Sequence, residues 1–184
     1  MEAERARLFV GLPAPVGVVD VVRGAQVSLL VGAGWRHTPV ERLHVTLAFI
    51  GEVSQGSLET ARESVVGLEG AQGGVPELDG FLFLPAPSRA RVVALGFHDP
   101  EQVFEGLYEE LMGRLESAGV MKREGRAFRP HLTIARSRRP VEVGPMSDVP
   151  RSVFSVESMC LYRSELRREG PVYTVVERIA LSRS

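Results

Sequence analysis

Cysteine is almost absent from this chain of 184 residues, and so are long apolar runs and any excess of charge. The single thiol, Cys160, excludes a disulfide within the chain, and its apolar neighbours predict a buried, inert side chain. No run approaches the ~20 apolar residues of a membrane-spanning helix, so no membrane span is expected. A net charge of −1 gives no global attraction for nucleic acid, so any polyanion site must be a local basic patch.

The amino-terminal residues 1–7 are charged and lead straight into an apolar segment. They lack the apolar core and small-residue cleavage site of a signal peptide, which predicts a cytoplasmic protein. Hydrophobic residues make up 44% of the chain and charged residues 24%, as in ordinary globular proteins. This length suits one domain over residues 1–184, and the sequence carries no oligomer signal, so a monomer is the default expectation.

Strands and helices interleave along the chain without the regular alternation of a doubly wound fold. Strands are predicted over 7–12, 42–50, 77–84, 89–97, 130–136, 152–162 and 172–181. Helices are predicted over three segments, 15–31, 54–68 and 99–118. In the third, Asp99 is the expected cap and Pro100 the first helical residue. This order predicts an α+β fold with antiparallel sheets.

Two His-x-Thr motifs, His44-Val-Thr46 and His131-Leu-Thr133, lie in similar flanks and form a weak internal repeat that indicates two lobes. Side chains at i and i+2 share one face of a strand, so each histidine lies beside its threonine. If a pseudo-two-fold relates the lobes, the two pairs face each other across a cleft. The opposite faces are predicted to pack on the core through Leu43, Val45, Leu47 and Phe49 in the first motif, and Leu132 and Ile134 in the second.

Two imidazoles on rigid strands suit phosphodiester chemistry. One neutral ring takes a proton from the attacking group while the other, protonated, donates to the leaving oxygen. The hydroxyls of Thr46 and Thr133 are placed to donate to phosphate oxygens. This chemistry needs no metal, and the carboxylates nearest in sequence, Glu41 and Glu52, do not clearly share the face of His44. The alternatives are a metal triad, or histidines that only hydrogen-bond within a sheet.

The segments His44-Val-Thr-Leu-Ala-Phe-Ile-Gly51 and Arg129-Pro-His-Leu-Thr-Ile-Ala-Arg136 resemble the paired signature of the 2H phosphoesterases. The chain is most similar to the bacterial and archaeal RNA 2′,3′-cyclic phosphodiesterases, also called 2′-5′ RNA ligases. The resemblance implies a bilobal α+β fold, in which two antiparallel sheets with outer helices are related by a pseudo-two-fold around a central groove.

The same resemblance implies an activity and a set of roles. The activity is opening of a 2′,3′-cyclic phosphate to a 2′-phosphomonoester, with reversible, ATP-independent 2′-5′ ligation of RNA ends and without metal or cofactor. The catalytic residues are His44 and His131, with His131 as the base and His44 as the acid, an assignment that is open to reversal. The substrate-binding residues are Thr46, Thr133 and Arg136, and the substrates are RNA ends or small cyclic nucleotides.

Arg136 does not fit a regular strand. Strict alternation from His131 puts Arg136 on the face opposite the catalytic pair. It reaches the groove only if the strand twists or bulges, or if its side chain wraps around the strand end. The matching position in the first motif is Phe49, so the two lobes are not chemically equivalent.

Other side chains near the motifs carry weaker signals. Trp35 is the aromatic residue best placed to stack on a base in the groove; Phe9 and Phe128 are expected in the core, and Tyr173 is undecided. The two histidines without a threonine partner are expected on the surface: His37 and His98. A basic rim that attracts phosphate, or else a solvated loop, is predicted around the second motif from Arg123, Arg126, Arg129, Arg136, Arg138 and Arg139.

Three functions remain open on these observations. The leading one is a cyclic-phosphate phosphodiesterase acting on RNA or nucleotide ends. A second is a non-catalytic RNA- or nucleotide-binding module that uses the same groove, and the third is a structural domain without a ligand.

Overall fold

A computed structural model describes residues 5–29, 34–123, 125–146, 148–168 and 170–182 of the chain. The strands of this part are β1 (Ala6–Pro13), β2 (Arg36–His37), β3 (His44–Val53), β4 (Glu77–Leu84), β5 (Ala90–His98), β6 (Leu132–Val141), β7 (Ser158–Arg167) and β8 (Gly170–Ala180). The α-helices are α1 (Val19–Leu29), α2 (Gln55–Val66) and α3 (Val103–Ser117).

All strand pairs are antiparallel, which confirms the predicted α+β fold with antiparallel sheet. The strand order is β4-β5-β6-β3-β1-β7-β8, and β2 adds to β6. One half of the sheet is therefore β4, β5, β6 and β2, and the other is β3, β1, β7 and β8. The halves meet between β3 and β6 at one paired position, Val45 opposite Leu132, so the two lobes form a single open sheet.

The helices cover the apolar face of this sheet. Helix α1 packs on β6, whereas α2 and α3 pack on the half that contains β3 and on each other. The predicted inner face of the first helix is buried at Val22 and Ala25 in α1 and at Val18 in the 3-10 turn just before it, while the side chain of Leu29 lies outside the described residues. Within the described ranges, no helix is long and apolar enough to cross a membrane.

The predicted cap of the third helix is confirmed, but the helix begins later. Asp99 accepts hydrogen bonds from the main-chain N–H groups of Val103 and Phe104, at 3.1 and 3.0 Å. Helix α3 starts at Val103 and not at Pro100, because Gln102 has a left-handed φ of 55° that interrupts helical geometry. The carboxylate therefore reaches past one extra turn of backbone to the free N–H groups of the helix.

Several strand ends differ from the prediction. Strand β3 does not close at Gly51 but passes through it to Val53, with Gly51 at a φ of 84° that glycine tolerates. The strand predicted over 152–162 begins only at Ser158, because the residues before it pair through isolated bridges. Strand β2 was not predicted, since two residues are too few to show a periodic pattern.

Candidate active site

The two His-x-Thr motifs lie side by side in the sheet. Val45 and Leu132, the central residues of the two motifs, are the pair that joins β3 to β6. Because the strands are antiparallel, each histidine comes next to the threonine of the other motif, and the pseudo-two-fold passes between Val45 and Leu132. The four motif side chains and Arg136 line one cavity of about 400 Å³, on the face opposite the buried Val45 and Leu132.

Both imidazoles are oriented in the same way. Nδ1 of His44 bonds the main-chain carbonyl of Arg42 at 2.7 Å, and Nδ1 of His131 bonds that of Arg129 at 2.8 Å. A carbonyl only accepts, so Nδ1 carries the hydrogen in each ring. Nε2 of each neutral ring then holds a lone pair, and each protonated ring has an Nε2–H to donate. The carbonyl two positions before each histidine thus fixes the orientation of the ring and leaves Nε2 free to exchange protons.

A β-bulge follows each motif and changes which side chains face the cavity. Along β3 the register to β1 skips Leu47, and along β6 the register to β5 skips Ile134. Each bulge places two consecutive residues in the core, Leu47 with Ala48 and Ile134 with Ala135. Alternation restarts after the extra residue, so the next side chain points to the groove.

The bulges settle two expectations from the sequence. Arg136 reaches the cavity because the β6 bulge brings it to the face of His131 and Thr133. The prediction that Phe49 packs in the core is wrong, because the β3 bulge turns it outward, where its side chain is 63% exposed and lines the cavity. Ala48 takes the core position that Phe49 was expected to fill.

A buried glutamine supports the β6 bulge. The amide Nε2 of Gln26, on α1, donates to the carbonyl of Ile134 at 2.9 Å and to that of Thr38 at 2.9 Å. The same Ile134 carbonyl also accepts from the main-chain N–H of Thr38 at 2.8 Å. A bulge leaves main-chain groups outside the regular ladder, so these bonds satisfy the carbonyl that the irregularity frees. Gln26 therefore helps to hold the β6 bulge that directs the Arg136 side chain into the groove.

An aromatic cluster, formed by Phe9, Tyr162 and Tyr173, surrounds His44. The Phe9 ring lies 4.8 Å from the His44 ring, and Tyr173 meets it edge-on at 5.5 Å. Desolvation by this burial is the main cause that lowers the pKa of His44, against a smaller upward effect from the bond to Arg42. The positive charges of Arg136 and His131 lower the pKa of His44 further. The ring is therefore predominantly neutral at pH 7 in the free protein.

Gly11 on β1 leaves space for the His44 ring. A Cβ at this position would lie 3.0 Å from the carbonyl oxygen of Val45 and 3.2 Å from Cδ2 of His44. Both contacts are tighter than ordinary van der Waals packing, and the nearer atom belongs to the backbone. A side chain here would therefore press on the imidazole and on the strand that carries it.

Arg42 is a site residue that the sequence did not single out. Its Nη1 donates to the carbonyl of Pro171 at 2.7 Å, and its side chain lines the cavity beside His44. A Cβ on Gly170 would come within 3.0 Å of the same Nη1, so the glycine gives the guanidinium room. No local pattern links position 42 to position 171, and only the assembled sheet brings them together.

The structure divides the predicted basic rim. Arg123 pairs with Glu109 at 2.6 Å and contacts Glu116 at 3.6 Å, so its charge is balanced away from the groove. Arg136 lines the central cavity, and Arg138 lines a neighbouring one. Arg126 and Arg129 line a third cavity on the other side of His131. Arg139 lies outside these three linings.

The remaining aromatic and histidine predictions have mixed outcomes. Trp35 packs against the main core and not in the groove, so that prediction is wrong. Phe9 is buried as expected, although it lies under His44 and not in the main core. His98 is exposed as expected, whereas His37 is only partly exposed and lines a cavity beside the groove, so its surface assignment is wrong.

The chain's single thiol lies beneath the site. Cys160 is fully buried beneath the aromatic cluster, and desolvation raises the pKa of its thiol, in agreement with an inert cysteine. Among the residues that the structure describes, no three His, Cys, Asp or Glu side chains are grouped so that they would hold a metal ion.

Known proteins resemble the chain over almost its whole length, although no family model matches it. The RNA 2′,3′-cyclic phosphodiesterase of Thermus thermophilus is 31% identical over 198 aligned residues, covering 95% of this chain and 90% of that protein. The protein of the same name from Methanothermobacter thermautotrophicus is 32% identical over 183 residues, covering 94% of this chain and 97% of the relative.

Solved structures share the fold. Apo LigT of Escherichia coli matches with a TM-score of 0.78 at 26% identity, over 98% of this chain and 99% of LigT. A Thermus thermophilus crystal structure matches with a TM-score of 0.77 at 29% identity, over 95% of this chain and 97% of that one. The resemblance indicated by the two motifs is thus confirmed, and the chain belongs to the RNA 2′,3′-cyclic phosphodiesterase family of 2H phosphoesterases.

Proposed function

We propose that this protein hydrolyses 2′,3′-cyclic phosphates, on RNA ends or on nucleotides, to 2′-phosphomonoesters by general acid–base catalysis without a metal. One observation carries the proposal: the paired positions Val45 and Leu132 put two equally oriented imidazoles on the same cavity. The family relationship supports the substrate, because the relatives are named for this reaction.

The reaction needs one proton acceptor and one donor. Water attacks phosphorus and gives its proton to Nε2 of His131, the bond between phosphorus and the 3′ oxygen breaks, and Nε2–H of His44 protonates that oxygen. The product carries a 2′-phosphate and a free 3′-hydroxyl. The rings exchange protons with solvent to restore the starting state. Ring orientation through Nδ1 keeps both Nε2 atoms available for these transfers.

The lowered pKa of His44 sets a condition on this assignment. Burial disfavours the imidazolium in the free protein, and the charge of Arg136 adds to that effect, as does His131 when its ring is protonated. A bound phosphodiester anion between the rings counteracts both, because a negative charge within a few ångströms favours the protonated form. Substrate binding thus charges His44 for its role as the acid. If His44 instead stays neutral in the complex, the roles of the two histidines are exchanged.

Other cavity side chains bind the phosphate and the base. The hydroxyls of Thr46 and Thr133 donate to non-bridging oxygens, and Arg136 balances the charge that develops on them. Phe49 presents an exposed ring at the edge of the same cavity, where a nucleobase can stack on it. The centroid of the Phe9 ring lies 4.8 Å from that of His44 and 6.1 Å from that of Phe49. The ring on which the base stacks and the acid His44 therefore lie within the length of one nucleotide.

A 5′-hydroxyl of a second RNA end that takes the place of water yields a 2′-5′ phosphodiester. The cyclic phosphate already stores the energy of the new bond, so this ligation needs no ATP and runs in reverse on the product. A third cavity of about 250 Å³ adjoins His131 and Thr46 and gives this second nucleoside a place beside the base. Ligation is the second activity that we propose for the site.

The test is hydrolysis of adenosine 2′,3′-cyclic phosphate in excess chelator, with 2′- and 3′-AMP separated by chromatography. We expect 2′-AMP as the product and a loss of about 10²–10⁴-fold in rate for His44→Ala and for His131→Ala. His98→Ala, an exposed histidine outside the cavity, is the matched control and keeps the wild-type rate.

Each competing function gives a different result. A non-catalytic binding module binds 2′-AMP but turns over no cyclic phosphate. A metal enzyme loses its activity in chelator and regains it when a divalent metal is added. A structural domain binds no phosphate compound at all.

A further inference from the structure

A second basic cavity opens beside the central one. It holds about 320 Å³ and is formed by three segments of chain: the link from β2 to β3, the middle of β6 and the start of β8. Its lining includes Arg36, His37, Arg42, Arg136, Arg138 and Tyr173. Four guanidinium groups around one cavity in a chain of net charge −1 indicate a site for an anion.

The two cavities share a wall. Arg42 and Arg136 line both, as does Tyr173. Arg42 is held there by its bond to the carbonyl of Pro171, so its position does not depend on a ligand. An anion in the second cavity and a phosphate between the catalytic histidines would therefore contact the same two cations from opposite sides.

His37 adds an independent observation at this cavity. Its Nε2 is buried, yet it has no hydrogen-bond partner among the residues that the structure describes. A buried polar atom without a partner costs free energy, and native proteins usually satisfy such atoms with protein, water or ligand. His37 follows Arg36 on β2 and lines this cavity, so a phosphate oxygen that reached Nε2 would supply the partner.

We propose that this cavity binds the phosphate on the 5′ side of the nucleotide whose cyclic phosphate is opened. In ribose, the base is attached to C1′, which is next to C2′, and the 5′ carbon is attached to C4′, which is next to C3′. With the cyclic phosphate at the histidines and the base on Phe49, the 5′ phosphate points to the opposite side, toward Arg36 and Arg138. The site then selects polynucleotide ends over mononucleotides. This inference rests on the proposed cyclic-phosphate activity.

The experiment compares two substrates that differ by one group: adenosine 2′,3′-cyclic phosphate, with and without a 5′ phosphate. We expect kcat/KM to be about tenfold or more higher for the 5′-phosphorylated substrate, from one or two charge-assisted contacts. The preference falls as salt rises, because an additional phosphate contact releases counterions. A dinucleotide that ends in a 2′,3′-cyclic phosphate should show the same higher kcat/KM over adenosine 2′,3′-cyclic phosphate. This result would show that the site accepts the phosphodiester of an RNA chain as well as a terminal phosphomonoester.

Two variants assign the preference to this cavity. Arg36→Ala and Arg138→Ala bring the ratio of kcat/KM between the two substrates close to one. Arg139→Ala is the matched control, because the neighbouring arginine lies outside the lining, and it preserves the wild-type ratio. Equal rates for both substrates in the wild-type protein would overturn the proposal, as would equal losses on both substrates in Arg36→Ala and Arg138→Ala.

Binding of the products separates this inference from the proposed activity. Adenosine 2′,5′-bisphosphate should bind about tenfold more tightly than adenosine 2′-phosphate, and Arg36→Ala should remove the difference. If no cyclic phosphate is hydrolysed but this difference is present, the activity fails and the second phosphate site stands. If hydrolysis occurs and the two dissociation constants are equal, the activity stands and the second site fails.

Discussion

Phe49 and Arg136 occupy equivalent positions in the two lobes: each is the fifth residue after its motif histidine, and each follows a β-bulge that turns it into the groove. The backbone is thus nearly two-fold symmetric where the chemistry is not. An aromatic ring on one side and a guanidinium on the other suit a ligand with different ends, such as a nucleotide with a base and a phosphate. This asymmetry determines in which of the two orientations a nucleotide binds between the symmetric pair of histidines.

Replacing Phe49 separates base recognition from chemistry. We expect Phe49→Ala to lower kcat/KM for adenosine 2′,3′-cyclic phosphate by roughly tenfold, since stacking of one base contributes about 1–3 kcal/mol. For methyl ribofuranoside 2,3-cyclic phosphate, which has no base, Phe49→Ala should lower kcat/KM only slightly. Phe49→Tyr keeps an aromatic ring and restores the preference for the nucleoside. Equal losses on both substrates would show that Phe49 supports the fold and not the base.

Arg136 should act on phosphate through its charge. Arg136→Ala is expected to reduce kcat/KM by about tenfold to hundredfold, which corresponds to a charge-assisted hydrogen bond of about 1.5–3 kcal/mol. Arg136→Lys should recover part of the loss, because it keeps the charge but not the planar pair of donors. Steady-state kinetics at low and high salt measure both effects. A wild-type rate in Arg136→Ala would remove Arg136 from the site.

Gly11 should affect catalysis through the position of His44. Gly11→Ala introduces a Cβ 3.0 Å from the Val45 carbonyl and 3.2 Å from the imidazole, so we expect a lower kcat and a loss of stability of about 1–3 kcal/mol from overpacking. Gly17→Ala is the control, because a Cβ there meets nothing within 4 Å. The free energy of unfolding in urea and kcat should both be lowered in Gly11→Ala and unchanged in Gly17→Ala. A kcat unchanged in Gly11→Ala would mean that the ring has more room than the structure indicates.

The His44 ring should titrate below the pKa of a free imidazole. Its pKa is lowered in the folded protein mainly by burial, whereas in the unfolded chain it returns to about 6.5. The unfolded state then binds more protons, so this contribution to stability is complete above pH 6.5 and is lost as pH falls through the lowered pKa. NMR titration of the ring measures the shift directly.

The same titration tests the role of His44 as the acid. With 2′-AMP bound, the pKa of His44 should rise relative to the free protein, because the phosphate charge favours the imidazolium. A pKa that stays below 6.5 in the complex would assign the acid to His131 and the base to His44.

Local patterns were enough to predict the motifs and their faces. His44 and Thr46, and likewise His131 and Thr133, share one face because alternation holds over those three residues. Asp99 was recognisable as a cap from its position before an amphipathic segment. These features depend on neighbours within a few residues, which a sequence records directly.

What the sequence did not predict depends on distant partners. The bulges at Leu47 and Ile134 arise from register against β1 and β5, and nothing within the motifs marks them, so Phe49 was assigned to the wrong face. Arg42 is defined by the carbonyl of Pro171, and Gln26 by that of Ile134, across large separations in sequence. Such residues become visible only when the sheet has assembled.

The central claim, that His44 and His131 act as one acid–base unit, is tested most directly by a double-mutant comparison. The measurement is the rate of 2′-AMP formation from adenosine 2′,3′-cyclic phosphate by wild type, His44→Ala, His131→Ala and the double variant. If the two rings work in the same step, each single variant loses about 10²–10⁴-fold and the double variant is little slower than either. Wild-type rates in either single variant, or losses that multiply in the double variant, would contradict the account.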